Sequence, residues 1–206
     1  MAQDQFKNHV STRVAPGYYA VTTRGEIIST LLGSCVAACV YDPVARVAGM
    51  NHFLLSNRRY ARQLPYTETE AGRYGVQAME LLINDLNRAG ARKERLCAKA
   101  FGGASIIETG ADRDNFSCVG QVNIRFIQDF LDLEQIPLLS ADLGGEHGRV
   151  IYFDTRDFSV YVRRIKKSRS IELAQRDHSL WQREIRAHDH AGEGLAGRRK
   201  DVELWG

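Results

Sequence analysis

The stretch Ser29-Thr-Leu-Leu-Gly-Ser-Cys35-Val-Ala-Ala-Cys39-Val-Tyr-Asp42-Pro43, continued by Val44-Ala-Arg-Val-Ala-Gly-Met-Asn-His52-Phe-Leu-Leu-Ser56, decides how this chain is read. Two apolar runs with β-branched residues flank Asp42-Pro43. Proline is favoured at the second position of a turn, so the pattern is that of a β-hairpin. A regular hairpin folding about Pro43 and Val44 sets Asp42 opposite Ala45 and Cys35 opposite His52. Directly opposed residues share a face, with Cβ atoms about 4.5–5.5 Å apart. A thiol and an imidazole meeting in this way form a nucleophile and its base. A cysteine more often packs than reacts, but two details favour chemistry here. Gly33-Ser34 precedes Cys35, and glycine permits close backbone approach. His52 interrupts an apolar run, and a buried imidazole needs a partner. Zinc held by Cys35, Cys39 and His52 is excluded, because strand residues four apart lie about 13 Å from each other.

Composition narrows the class. The 206 residues are enough for one sizeable core or a domain plus an appendage, and 44% hydrophobic and 26% charged content is ordinary for a globular protein. No apolar run approaches the ~20 residues needed to cross a bilayer, so no membrane insertion is expected. The segment Met1–Val10 lacks the apolar centre of a signal peptide. The four cysteines (35, 39, 97 and 118) form neither a zinc-type pair nor a disulfide framework, which suits a reducing cytoplasm. A net charge of +3 makes no case for nucleic acid.

Outward from the hairpin, residues 1–16 read as a loose polar lead-in ending at Pro16-Gly17. Strands are expected at Tyr18–Thr22 and Glu26–Leu32, and an exposed loop carries Arg58, Arg59 and Arg62. Thr67-Glu-Thr-Glu70 matches a capping box, and Ala71, Ala78, Met79, Leu82, Ile83 and Leu86 then follow helical spacing up to Gly90. Leu96–Phe101 alternates as a strand and ends at Gly102-Gly103-Ala104-Ser105, which lacks the lysine of a P-loop. Glu108–Asn115 reads as a polar loop. A second helix is expected over 120–134, a strand over 136–141, and a last hairpin from Val150–Phe153 and Phe158–Ile165 about Asp154–Asp157. Beyond it, Arg163, Arg164, Lys166, Lys167 and Arg169 make a basic run. Apolar spacing through Trp181 and Ile185 predicts an amphipathic helix over 170–186, and residues 186–206 read as disordered.

Thr-Leu-Leu-Gly-Ser-Cys35-Val-Ala followed by Gly-Met-Asn-His52-Phe-Leu-Leu resembles CheD, the bacterial chemoreceptor glutamine deamidases, and the resemblance covers roughly residues 17–165. It implies an α+β fold in which mixed β-sheets pack together with helices on the outer faces. The domain is expected over 17–166, with 167–206 as a basic and polar tail. It also implies a protein-glutamine glutaminase that needs neither metal nor organic cofactor. The substrates implied are cytoplasmic helices of methyl-accepting chemoreceptors, and the regulator a CheC-type phosphatase. Cys35 attacks the glutamine amide, and His52 serves as acid and then base. The backbone around Gly33, Ser34 and Cys35 is the candidate oxyanion hole. Gly102, Gly103 and Ser105 are expected to line the pocket. Asp142, in a similar Asp-x-Gly-Gly, is expected there too, although a turn carboxylate is its plainer reading. Asn123 resembles an asparagine of the family, while Val122 stands where an arginine often precedes it. The family's third catalytic residue is a threonine upstream of the cysteine. Strand parity favours Ser29 slightly, residue identity favours Thr30, and a bulge at Gly33 would decide between them. The rival readings are a non-catalytic adaptor, a cysteine peptidase and a glutamyl methylesterase.

Overall fold

The structure is a computed structural model describing residues 10–55, 70–105 and 119–166, together with 172, 173, 175–177, 179 and 180. The arginine loop at 58–62, residues 67–69 of the capping box, the polar segment 108–115, Cys118, Trp181, Ile185 and the residues beyond lie outside this set. In chain order the strands are β1 (Ser11–Arg13), β2 (Tyr19–Thr22), β3 (Ile27–Leu32), β4 (Val36–Asp42) and β5 (Val47–Asn51). Helix α1 (Glu70–Arg88) follows, then β6 (Cys97–Gly102), helix α2 (Val119–Leu133), β7 (Leu138–Leu143), β8 (Arg149–Asp154) and β9 (Ser159–Arg164). No helix among the described residues is long and apolar enough to cross a membrane.

Two mixed sheets result. One runs β1-β3-β8-β9 and the other β2-β5-β4-β6-β7. Alternation along the strands explains how they stack. Cys39, Tyr41, Ala48 and Met50 of the second sheet pack with Ile28, Leu32, Ile151 and Phe153 of the first. The other face of the second sheet presents Val36, Ala38, Val40, Ala98 and Ala100 to Met79, Leu82 and Leu86 of α1 and Phe126, Ile127 and Phe130 of α2. The order is therefore helices, five-stranded sheet, four-stranded sheet. The middle layer is covered on both sides, and all seven residues of β4 are accordingly buried.

Three local expectations change. First, β4 and β5 pair with Asp42 opposite Val47 and Cys39 opposite Met50, and Val36 bridges Phe53. The turn is a four-residue loop rather than a tight two-residue one. The Asp42 carboxylate accepts hydrogen bonds from the backbone N–H of Val44 (2.9 Å) and Ala45 (3.0 Å), and Arg46 closes the loop at φ 55°. Two extra loop residues move every partner by two, so His52 falls opposite Ala37 and not Cys35. Because the strand period is two, the shift keeps both side chains on their expected face. Second, residues 11–13 of the lead-in form β1, paired in parallel with β3. Its hydrogen bonds come from the β3 backbone, which a three-residue polar sequence does not advertise. Third, β3 and β4 belong to different sheets. The chain crosses between them at Gly33-Ser34, and parity does not carry across that step.

Candidate active site

The crossing places Thr30 and not Ser29 at the site. Along β3, Ile28, Thr30 and Leu32 are buried, whereas Ser29 and Leu31 are only partly so. Thr30 thus faces the second sheet, where His52 continues the inward series Ala48, Met50. Thr30 Oγ1 lies 2.7 Å from His52 Nδ1 and donates a hydrogen bond to the Val14 carbonyl at 2.7 Å. A hydroxyl has one proton, and it is spent on Val14. The Thr30 oxygen therefore accepts from Nδ1–H, which assigns the neutral imidazole its proton on Nδ1 and leaves a lone pair on Nε2. Nε2 is buried, with no hydrogen-bond partner among the described residues. The ring is anchored through its own backbone: His52 N–H donates to Tyr18 O (3.0 Å), and Gly17 N–H donates to His52 O (2.7 Å).

Cys35 lies on the same inter-sheet face, with Ala37 and Cys39, and is 0% exposed. It sits diagonally from His52, and no hydrogen bond joins its thiol to Nε2. The loop carrying it is held on two sides. Gly103 N–H donates to Cys35 O (2.7 Å), and Ala104 N–H donates to Gly33 O (2.8 Å). Gly102 is at φ 113°, and a Cβ there would collide with the Cys35 carbonyl oxygen. The Gly-Gly turn is therefore a support of the nucleophile loop. On the other side stands Asn123 of α2, which is fully buried. Its Nδ2 donates to Ser34 O (2.8 Å) and its Oδ1 accepts from Leu55 N–H (2.9 Å). This one side chain ties the Cys35 loop to the segment after β5 that carries His52.

Asp142 forms an ion pair with the buried Arg149 at 2.8 Å. Arg149 also donates to the carbonyls of Asp142 and Gly144. Asp142 therefore braces the 142–145 turn. Ser105 N–H donates to Gly145 O at 2.8 Å, joining that turn to the glycine loop.

The largest omission of sequence reasoning is Asp177. Its carboxylate is 0% exposed. Oδ2 accepts from Ser34 N–H at 3.0 Å and from Ser34 Oγ at 3.2 Å. Burial pushes the Cys35 thiol well above its ordinary pKa, and the Asp177 carboxylate raises it further, while Arg176 opposes the shift. Burial pushes His52 down to about 3, helped by the Arg176 guanidinium. In this arrangement the pair is a neutral thiol and a neutral imidazole. A polar aspartate in a charged stretch carries no local mark of this docking.

The profile of the CheD family, described as CheD chemotactic sensory transduction, matches residues 55–164. A Geobacter sulfurreducens protein named probable chemoreceptor glutamine deamidase CheD 1 is 64% identical, over 94% of this chain and 92% of its own length. The chain belongs to the CheD family. A Shewanella oneidensis CheD, likewise named a probable chemoreceptor glutamine deamidase, is 43% identical over 97% of this chain and 96% of its own length. Similarity to CheD relatives therefore spans nearly the whole chain, beyond the segment matched by the profile. Among solved structures, a Neisseria meningitidis protein of family DUF152 covers 70% of this chain and 66% of its own at 10% identity, with a TM-score of 0.40.

Proposed function

We propose that this CheD-family chain hydrolyses side-chain amides of glutamine residues in methyl-accepting chemoreceptors, giving glutamate and ammonia. The observation that carries the reading is the Thr30–His52 hydrogen bond, which leaves Nε2 without a proton on the face it shares with Cys35. That nitrogen takes the thiol proton, and the thiolate attacks the amide carbon. The carbonyl π electrons move to oxygen, where backbone N–H groups of the 33–35 loop stabilise the charge. As the tetrahedral intermediate collapses, the C–N bond breaks. The imidazolium protonates the departing nitrogen, and ammonia leaves a thioester. His52 then takes a proton from water, hydroxide adds to the thioester, and the C–S bond breaks. The products are a glutamyl carboxylate and the regenerated thiol. No metal or organic cofactor enters this sequence.

Relatives named chemoreceptor glutamine deamidases support the choice of substrate. A cytoplasmic setting, receptor helices as the binding partner and a CheC-type phosphatase as regulator belong to the same reading. The experiment is mass spectrometry of a receptor cytoplasmic fragment incubated with the protein. The expected result is a gain of about 1 Da at particular glutamines, absent with Cys35→Ala. Cleaved peptide bonds in place of that shift would replace the reading with a peptidase.

A further inference from the structure

Asp177 is a charged side chain in the C-terminal segment, far along the chain from the nucleophile, yet it is fully buried there. A buried carboxylate persists where donors meet it. Here two Ser34 donors converge on one oxygen, the backbone N–H at 3.0 Å and the hydroxyl at 3.2 Å. Ser34 immediately precedes Cys35, so an acceptor oxygen held by these donors lies beside the nucleophile. The carbonyl oxygen of a substrate amide, and the carboxylate of its product, need the same position. The neighbouring residues 172, 173, 175–177, 179 and 180 are helical. Asp177 thus presents a side-chain carboxyl from a helix, which is the form a receptor glutamate takes after deamidation.

We propose that the C-terminal segment around Asp177 is a built-in product mimic, and that Ser34 N–H and Oγ are the donors that bind the substrate's side-chain carbonyl. The inference rests on the glutamine-hydrolase reading for the identity of the ligand, but not for the occupancy of the site. Arg176 completes the plug. It reaches the Leu31 carbonyl at 3.4 Å and pairs with Asp177 Oδ1 at 3.1 Å. With the plug in place Cys35 is 0% exposed, so a glutamine on a helix cannot approach until the segment leaves. Among the described residues, two leucines anchor the segment. Leu173 is buried against Gly148 and Ile165, and Leu180 packs at the margin of the inter-sheet core. Segments open locally at free energies below that of global unfolding, so release does not require the two sheets to come apart. A receptor helix or a regulatory partner that takes the segment's place, or captures the segment itself, switches the enzyme on.

The test uses full-length protein and two substitutions that release the plug differently. Asp177→Ala removes the mimic. Leu173→Asp keeps the carboxylate but loosens its anchor. Alkylation of Cys35 by iodoacetamide, followed by mass spectrometry, reads exposure of the thiol independently of any substrate. Deamidation of a receptor fragment reads the competition. Both variants should alkylate at least about tenfold faster than wild type, and the KM for receptor fragment should fall by a similar factor with kcat little changed. Circular dichroism and thermal unfolding confirm that each variant is folded. Wild-type alkylation rates in folded Asp177→Ala and Leu173→Asp would overturn the proposal. Faster alkylation with no deamidation by any form would uphold the plug while refuting the glutamine substrate.

Discussion

In the proposed mechanism Cys35, His52 and Thr30 have distinct tasks, and their substitutions should separate accordingly. Cys35→Ala removes the proposed nucleophile, so turnover should fall below detection in a receptor-fragment assay. Cys35→Ser should be nearly as damaging, because a hydroxyl ionises far less readily than a thiol. Loss of His52 removes both the base for the thiol and the acid for ammonia, a contribution of roughly 10²–10⁴ in rate. Cys39 flanks Ala37 on the side opposite Cys35 and lies outside the Gly33–Cys35 loop, and Cys97 is on β6; their alanine variants should retain chemistry with some loss of packing. Thr30→Ala abolishes the acceptor that fixes the Nδ1–H tautomer. It should lower kcat toward the lower end of that same ~10²–10⁴ range, whereas Ser29→Ala, on the opposite face of β3, should stay within about twofold. A larger effect at Ser29 would mean that Thr30 does not orient the imidazole.

Among the elements, the glycine turn after β6 carries the sharpest expectation. Gly102 combines φ 113° with a Cβ position that meets the Cys35 carbonyl. Gly102→Ala should therefore lower stability by about 1–3 kcal/mol, the usual range for enforced backbone strain, and should also reduce turnover by shifting the nucleophile loop. Gly90, after α1, has φ 105° but nothing near its Cβ. Gly90→Ala should cost only about 1–2 kcal/mol for the left-handed conformation and leave kcat unchanged. Denaturant unfolding beside a deamidation assay checks both; equal loss of activity in the two variants would mean that the Gly102 contact is not what aligns Cys35.

For the molecule as a whole, acid stability should report the hairpin loop that sets the register of β4 against β5. Asp42 is 0% exposed. Burial alone would raise its carboxyl pKa, but Arg95 and the N–H groups of Ala45, Arg92 and Val44 outweigh burial and hold it below the usual carboxylate range. A group whose pKa is depressed by folding contributes stability above its unfolded pKa of about 3.9, and loses it as pH falls through the folded value. Asp42→Asn should therefore be clearly less stable than wild type at pH 7, with the gap narrowing below about pH 4. A gap independent of pH would assign the loss to the shape of the loop rather than to the charge.

Periodicity in the chain was enough to find strands β2 to β9 and both helices, because a strand or helix face is written in the spacing of its own apolar residues. It was also enough to bring Cys35 and His52 to one face, since a two-residue error in register leaves faces unchanged. Three things depended on groups distant in sequence. The Asp42 loop chose the register through hydrogen bonds that a two-residue turn would lack. Thr30 prevailed over Ser29 because the chain passes from one sheet to the other at Gly33-Ser34, and parity holds only within a sheet. Asp177 found Ser34 across the length of the chain, and neither residue's neighbours in sequence signal the other. Spacing records which way a side chain points; which element it then meets is settled only when the sheets stack and the backbone donors of one segment find acceptors in another.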